Sequence, residues 1–186
     1  RLDSDCDNIG YDVERIFKIY SYQIRGQRGI KSSEIGLRDF FKKTEYTPFK
    51  YKKYNEIMDD LFSIVKAVEF FNTTKRTEGL NELPKWFQLI DIYTNNYPKD
   101  LMIVYLAHKI NTDNFVNDAI RFSKSLVRYC YFQGATTNVK QYIYDLTIKV
   151  IHNEWEEYYP SNLNDRSYKY LGRLYKGFGL LGSYLN

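Results

Sequence analysis

The spacing of apolar residues constrains this chain more than any motif does. They recur at steps of three and four along most of its length, and no convincing run of strict alternation interrupts them. A period near 3.6 turns one face of a helix toward a core, whereas a half-buried strand needs a period of two. The sequence therefore predicts an all-α protein, an irregular multi-helix bundle of about seven helices with no significant sheet. With 186 residues, 44% of them hydrophobic, the chain can bury the core that such a bundle requires.

Individual helices follow from stripes and breakers. Val13, Ile16, Phe17, Tyr20 and Ile24 share a face over residues 11–25, and the glycines of "GQRGIK" end that helix. Ser32 or Ser33 then caps a short helix carrying Ile35, Leu37, Phe40 and Phe41. Tyr54, Ile57, Met58, Leu61, Val65 and Val68 give a longer helix, over residues 51–72, its core face. Pro84 and Pro98 suit the first turns of two more helices, where a missing N–H breaks no bond. The first of these buries Trp86, Phe87, Leu89, Ile90 and Tyr93. The second runs to about residue 110 and is nearly apolar all round through "LMIVYLA", as expected of a central helix.

Asp113 or Asn114 caps a long helix that Gly134 stops, and Thr136 or Thr137 caps the next, with Val139, Tyr142, Ile143, Leu146 and Val150 facing inward. Beyond Pro160 the pattern weakens. Gly172, Gly177, Gly179 and Gly182 interrupt it, so a short helix and an irregular packed tail are expected. The polar segment near residues 73–83 is the best internal boundary, giving one helical domain over 1–186 with lobes 1–75 and 84–186.

No apolar stretch approaches the roughly 20 residues that cross a bilayer, and the first ten residues lack the apolar centre of a secretory signal. Cys6 falls in an acidic end read as frayed, and Cys130 in an apolar helical pattern; both read as reduced thiols of a cytoplasmic protein.

Chemistry-bearing motifs are few. His108 and His152 lie in no known ligand spacing, and His152 with Glu156 supplies only two groups on one face. "GFGLLG" satisfies a dinucleotide-binding glycine pattern literally, but no strand precedes it. The sequence thus nominates no catalytic, cofactor-binding or metal-binding residue.

Charge is more informative. Between Arg15 and Lys53 stand eleven basic residues against Glu34, Asp39 and Glu45. "IRGQRGIK" concentrates Arg25, Arg28 and Lys31 among glycines, where they are candidates for phosphate contact or for a solvated loop. Nineteen tyrosines, often beside lysine as in "YKKY" and "YKYLGRLYK", leave two readings open: stacking on single-stranded nucleic acid, or the filling of amphipathic helices.

Three stretches carry a family resemblance: "ERIFKIYSYQIRGQRGIKSSEIGLRDFFKK" over residues 14–43, "DLMIVYLAHKI" over 100–110 and "LVRYCYFQGATTNVKQYIYDL" over 126–146. In this order they resemble the helical region of the GmrSD-type restriction endonucleases, bacterial proteins with a ParB-like N-terminal domain. That family places an arginine near a helix end, a glycine and a Thr/Asn turn here, matching Arg128, Gly134, Thr137 and Asn138. Its nucleotide-associated Asp-Gly-Gln-Gln-Arg motif is not reproduced by Gly26-Gln27-Arg28, and no HNH-type set is visible.

The resemblance implies a helical scaffold segment, without an active site or cofactor, of an NTP-dependent DNA endonuclease used against phage or foreign DNA. Its partners would be the other domains of that protein and DNA, contacted weakly through Arg25, Arg28, Lys31 and Arg128. The alternative is a stand-alone protein-interaction or self-association module with exposed aromatic faces. Arg128 itself keeps two readings, as a structural group closing its helix or as a contact to a partner.

Overall fold

A computed structural model describes residues 2–31, 35–42, 46–77, 82–133 and 136–159, without the side chains of 132–133 and 136–138. Among the described residues are eight α-helices and no strand: α1 (Leu2–Ile9), α2 (Val13–Gln27), α3 (Leu37–Lys42), α4 (Tyr54–Thr74), α5 (Leu83–Asp91), α6 (Tyr97–Lys109), α7 (Phe115–Gln133) and α8 (Thr136–Ile151). A 3₁₀ turn, Pro48–Lys50, precedes α4. The all-α bundle read from apolar spacing is the fold observed.

Helix α6 lies at the centre, against α4, α8, α2, α7 and α5. Leu101 to Leu106 are all buried, so the "LMIVYLA" run has neighbours on every side. Asp100, at the start of α6, is buried with them and pairs with Arg15 of α2. Because α2 packs on α8 and α4 on α6, helices from both sides of the polar segment near residues 73–83 share one core.

Helix ends show how the sequence sets the path. Asp12 accepts a hydrogen bond from the Arg15 backbone N–H (2.6 Å), which satisfies an otherwise orphaned donor at the start of α2. At the other end Gly29 takes φ 65°, while its N–H reaches Gly26 O and that of Ile30 reaches Arg25 O. This 6→1 and 5→2 pair closes the helix with a left-handed residue that glycine adopts without strain. Helix α8 closes with the same bonds, Asn153 N–H to Val150 O and Glu154 N–H to Lys149 O, but with Asn153 in the left-handed position at φ 60°. An asparagine in this place is a quieter sequence signal than a glycine.

Two expectations change. Gly26 does not break α2; it lies inside it, buried, and a Cβ there would stand 2.8 Å from Ile151 Cγ1 and 3.2 Å from the Thr147 carbonyl oxygen. It lets α2 and α8 approach closely, and Gly29 acts as the stop. Cys6, read as part of a frayed end, is fully buried, because α1 packs on α4 and α2. Burial first, and then the surrounding aspartates, push its thiol pKa up.

Smaller differences are local. Tyr93 lies just beyond α5 and donates its hydroxyl to Cys130 O (3.2 Å) across the α5–α7 contact. Helix α8 begins at Thr136 itself, so the two threonines occupy its first turn. The Ser32/Ser33 cap, Gly134, and everything expected beyond Tyr159, including "GFGLLG", lie outside the described residues.

Candidate nucleic-acid interface

The basic residues singled out by sequence fall into three different environments. Arg25, in the last turn of α2, is 4% exposed. Its guanidinium sits over Phe40 (5.1 Å) and Tyr144 (5.9 Å), and an N–H reaches Ile35 O at 3.4 Å. That is a place inside the fold, where the cation is held by ring faces. It does not reach the surface.

Arg128 lies on α7, half-buried, with its guanidinium 4.8 Å from the Tyr159 ring and 4.0 Å from Glu157. Both partners belong to residues 154–159, a segment without helix that crosses α7. Trp155 packs edge-on against Tyr105 and Phe122, Glu157 bonds Arg121 at 2.7 Å, and the Tyr158 N–H donates to Ser125 Oγ at 2.7 Å. Arg128, more than a turn before the end of α7, therefore pins this strap.

The strap borders a cleft of about 580 Å³ lined by Lys31, Tyr142, Asp145, Lys149, Glu154, Glu156, Glu157 and Tyr158. Four carboxylates against two lysines make it acidic. Lys31, 69% exposed, stands at its rim 3.7 Å from Asp145. A phosphate backbone would be repelled here.

Arg28 leads elsewhere. As the residue that closes α2 it is exposed, and its guanidinium lies 4.2 Å from the centre of the Tyr51 ring. Tyr51 follows the Pro48–Lys50 turn, which packs on α4 and brings Phe49 to 5.5 Å from Phe41 of α3. Lys52 fixes the corner: it bonds Asp60 of α4 (2.5 Å), which also accepts from the Tyr20 hydroxyl (2.9 Å). The Lys53 N–H is taken by Glu56 (2.6 Å), so α4 begins there.

With the backbone so anchored through Lys52, the side chains on either side of it are left outside. Phe49, Tyr51 and Tyr54 are 53%, 44% and 74% exposed. Lys42, Lys50 and Lys53 are exposed beside or between them. The exposed acids in α3 and in the first two turns of α4 are Asp39, Glu56 and Asp59. This end of the bundle, from α2 through α3 and the turn into α4, is the surface where cations and aromatic rings come together.

In the sequence Arg28 stands out among glycines and Tyr51 within "YKKY", but Tyr54 falls on the expected core face of its helix, where the structure instead leaves it 74% exposed, and neither Phe49, Lys42 nor the Arg28–Tyr51 contact is marked. The available signal was the alternation "FKYKKY" directly after Pro48. Among the described residues no three His, Cys, Asp or Glu side chains are placed to hold a metal ion. Among those residues, too, no helix is long and apolar enough to cross a membrane. Compared with protein-family models, with curated proteins and with solved structures, the chain matches none.

Proposed function

We propose that this chain is a helical positioning domain of a larger DNA-defence protein of the GmrSD kind, and that it touches nucleic-acid backbone through the α2–α4 end of the bundle. The observation that supports the contact is the convergence of exposed Arg28, Lys42, Lys50 and Lys53 on one anchored corner. Lys31 stands instead at the rim of the acidic cleft, and Arg25 and Arg128 serve the fold. The catalytic work of the parent, an NTP-dependent endonuclease on this reading, would belong to flanking domains. Support for that half is the resemblance of residues 14–43, 100–110 and 126–146.

Backbone contact through a few cations gives weak binding without sequence preference, and each neutralised phosphate steepens its salt dependence. Titrating duplex DNA with the chain at about 50 and 200 mM salt should show affinity falling roughly tenfold or more. The double variant Lys50→Glu, Lys53→Glu should abolish binding at the lower salt. Salt-insensitive binding, or none by the wild-type chain, would remove the proposed contact.

A second reading, a protein-interaction module, draws on the acidic cleft beside the strap, which suits a basic helix of a partner. Light scattering at rising concentration tests its self-association form, in which the apparent mass should increase.

A further inference from the structure

Phosphate contact needs cations only, yet the corner also holds three rings out in water. Among the described residues six large apolar or aromatic side chains are well exposed, and Phe49, Tyr51 and Tyr54 account for half of them within six positions. Isolated exposed apolar side chains are ordinary, as with Ile92 and Val116 elsewhere. A cluster with cations between its members marks an interaction surface.

The details select the partner. Two of the rings are held on one side and exposed on another: Phe49 leans on Phe41, and Tyr51 lies under the Arg28 guanidinium, which forms with it a cationic platform. Tyr54, in the first turn of α4, is the most exposed residue of the group. Every unpaired base offers a ring face to such platforms, and stacking there is tolerant of sequence. In a duplex the base faces are already stacked on one another, and protruding tyrosines find only phosphate and sugar.

Resting on the reading that this corner meets nucleic acid, we infer that its ligand is a single strand. Tyr54 and the Arg28–Tyr51 pair stack on bases, Phe49 covers a neighbouring base edge, and Lys50 and Lys53 neutralise the phosphates between. A domain of this kind would hold a displaced or already opened strand of a DNA target.

Fluorescence anisotropy of the full chain with a labelled oligothymidylate of about 20 nucleotides, beside a duplex of equal length, tests this directly. The single strand should bind at least tenfold more tightly at equal salt. Tyr54→Leu should weaken single-strand binding roughly five- to hundredfold and leave duplex binding unchanged, while Tyr54→Phe keeps both. At 74% exposure Tyr54 contributes little to the core, so these variants should melt with the wild type.

Equal affinity for the two ligands, or a Tyr54→Leu variant that binds the single strand as well as before, overturns the inference and leaves the backbone contact standing. Binding of neither overturns both. Vesicles containing phosphatidylserine provide the remaining arm: association with them in place of either oligonucleotide would assign the corner to a membrane surface instead.

Discussion

Helix α6 and the 154–159 strap both bury aromatic surface against α7, yet they are held by different physics. In α6 the backbone satisfies its own hydrogen bonds, and the side chains from Leu101 to Leu106 are removed from water on all sides. The strap has no backbone ladder. It depends on Ser125 Oγ, on Arg121 and on ring contacts made by Trp155 and Tyr158. The two regions meet where Tyr105 of α6 stacks on Phe122 of α7 (4.1 Å, 5° between planes) and Trp155 closes edge-on over both. Periodic burial therefore stabilises the whole chain, while side-chain anchors stabilise only the piece they hold.

The largest expected effect tests the first half of that contrast. Leu106 is fully buried in α6, and Leu106→Ala should cost about 2–5 kcal/mol through lost transfer energy and the cavity left behind. Urea unfolding should show a lower midpoint with an unchanged slope, because the domain still unfolds as one. A loss confined to one part of the molecule would break the comparison.

Next comes Trp155→Ala. The ring is only half-buried, so roughly 2 kcal/mol is at stake, and most of it concerns the strap. Hydrogen exchange should speed up at residues 154–159 more than in α6. Equal acceleration in both would mean that the strap belongs to the global unfolding unit.

The same contrast explains what could be read from the sequence. The repeating stripes located α2, α4, α6, α7 and α8 because each buries a face at a fixed period, and Pro84 and Pro98 marked two of the starts. The strap has no period: "EWEEYY" owes its position to Ser125, Arg121 and Arg128, which are distant in sequence. Arg25 was visible as a cation but not as a buried one, since the rings of Phe40 and Tyr144 reach it only after α2 has packed. Gly26 was readable as a glycine, and its packing role appeared only with α8 beside it. The interface was half legible for a related reason. "YKKY" displayed the alternation, but the stacking of Arg28 on Tyr51 depends on two elements meeting.

Arg128→Ala addresses the strap's outer contact and should have a smaller effect. One cation–π contact and a long ion pair between half-buried groups are worth about 1 kcal/mol or less. A small decrease in melting temperature with oligonucleotide binding unchanged is expected. A large loss of binding with normal melting would move Arg128 from the strap to the interface.

A last comparison distinguishes the two regions by the sign of their pH dependence. Burial pushes the Asp100 carboxyl up to about 7, and the Arg15 guanidinium only partly opposes it. The folded chain then holds this proton more firmly than the unfolded one does. The contribution is complete below the ordinary value of 3.8 and is lost as pH rises toward about 7. Glu157 in the strap behaves oppositely: hydrogen bonds from Tyr159 and Arg121 hold its pKa below the ordinary 4.5. Its contribution is present above that value and is lost as pH falls through the lowered one. Asp100→Asn should therefore gain on the wild type in global stability as pH rises from about 4 to 7. Glu157→Gln should weaken the strap near neutrality and match the wild type in acid. Trp155 fluorescence in a Trp86→Phe background follows the strap alone, since these are the chain's two tryptophans. Strap release on acidification while α6 remains protected from exchange is the expected result. Simultaneous loss of both signals would show that anchored and periodic burial unfold as one.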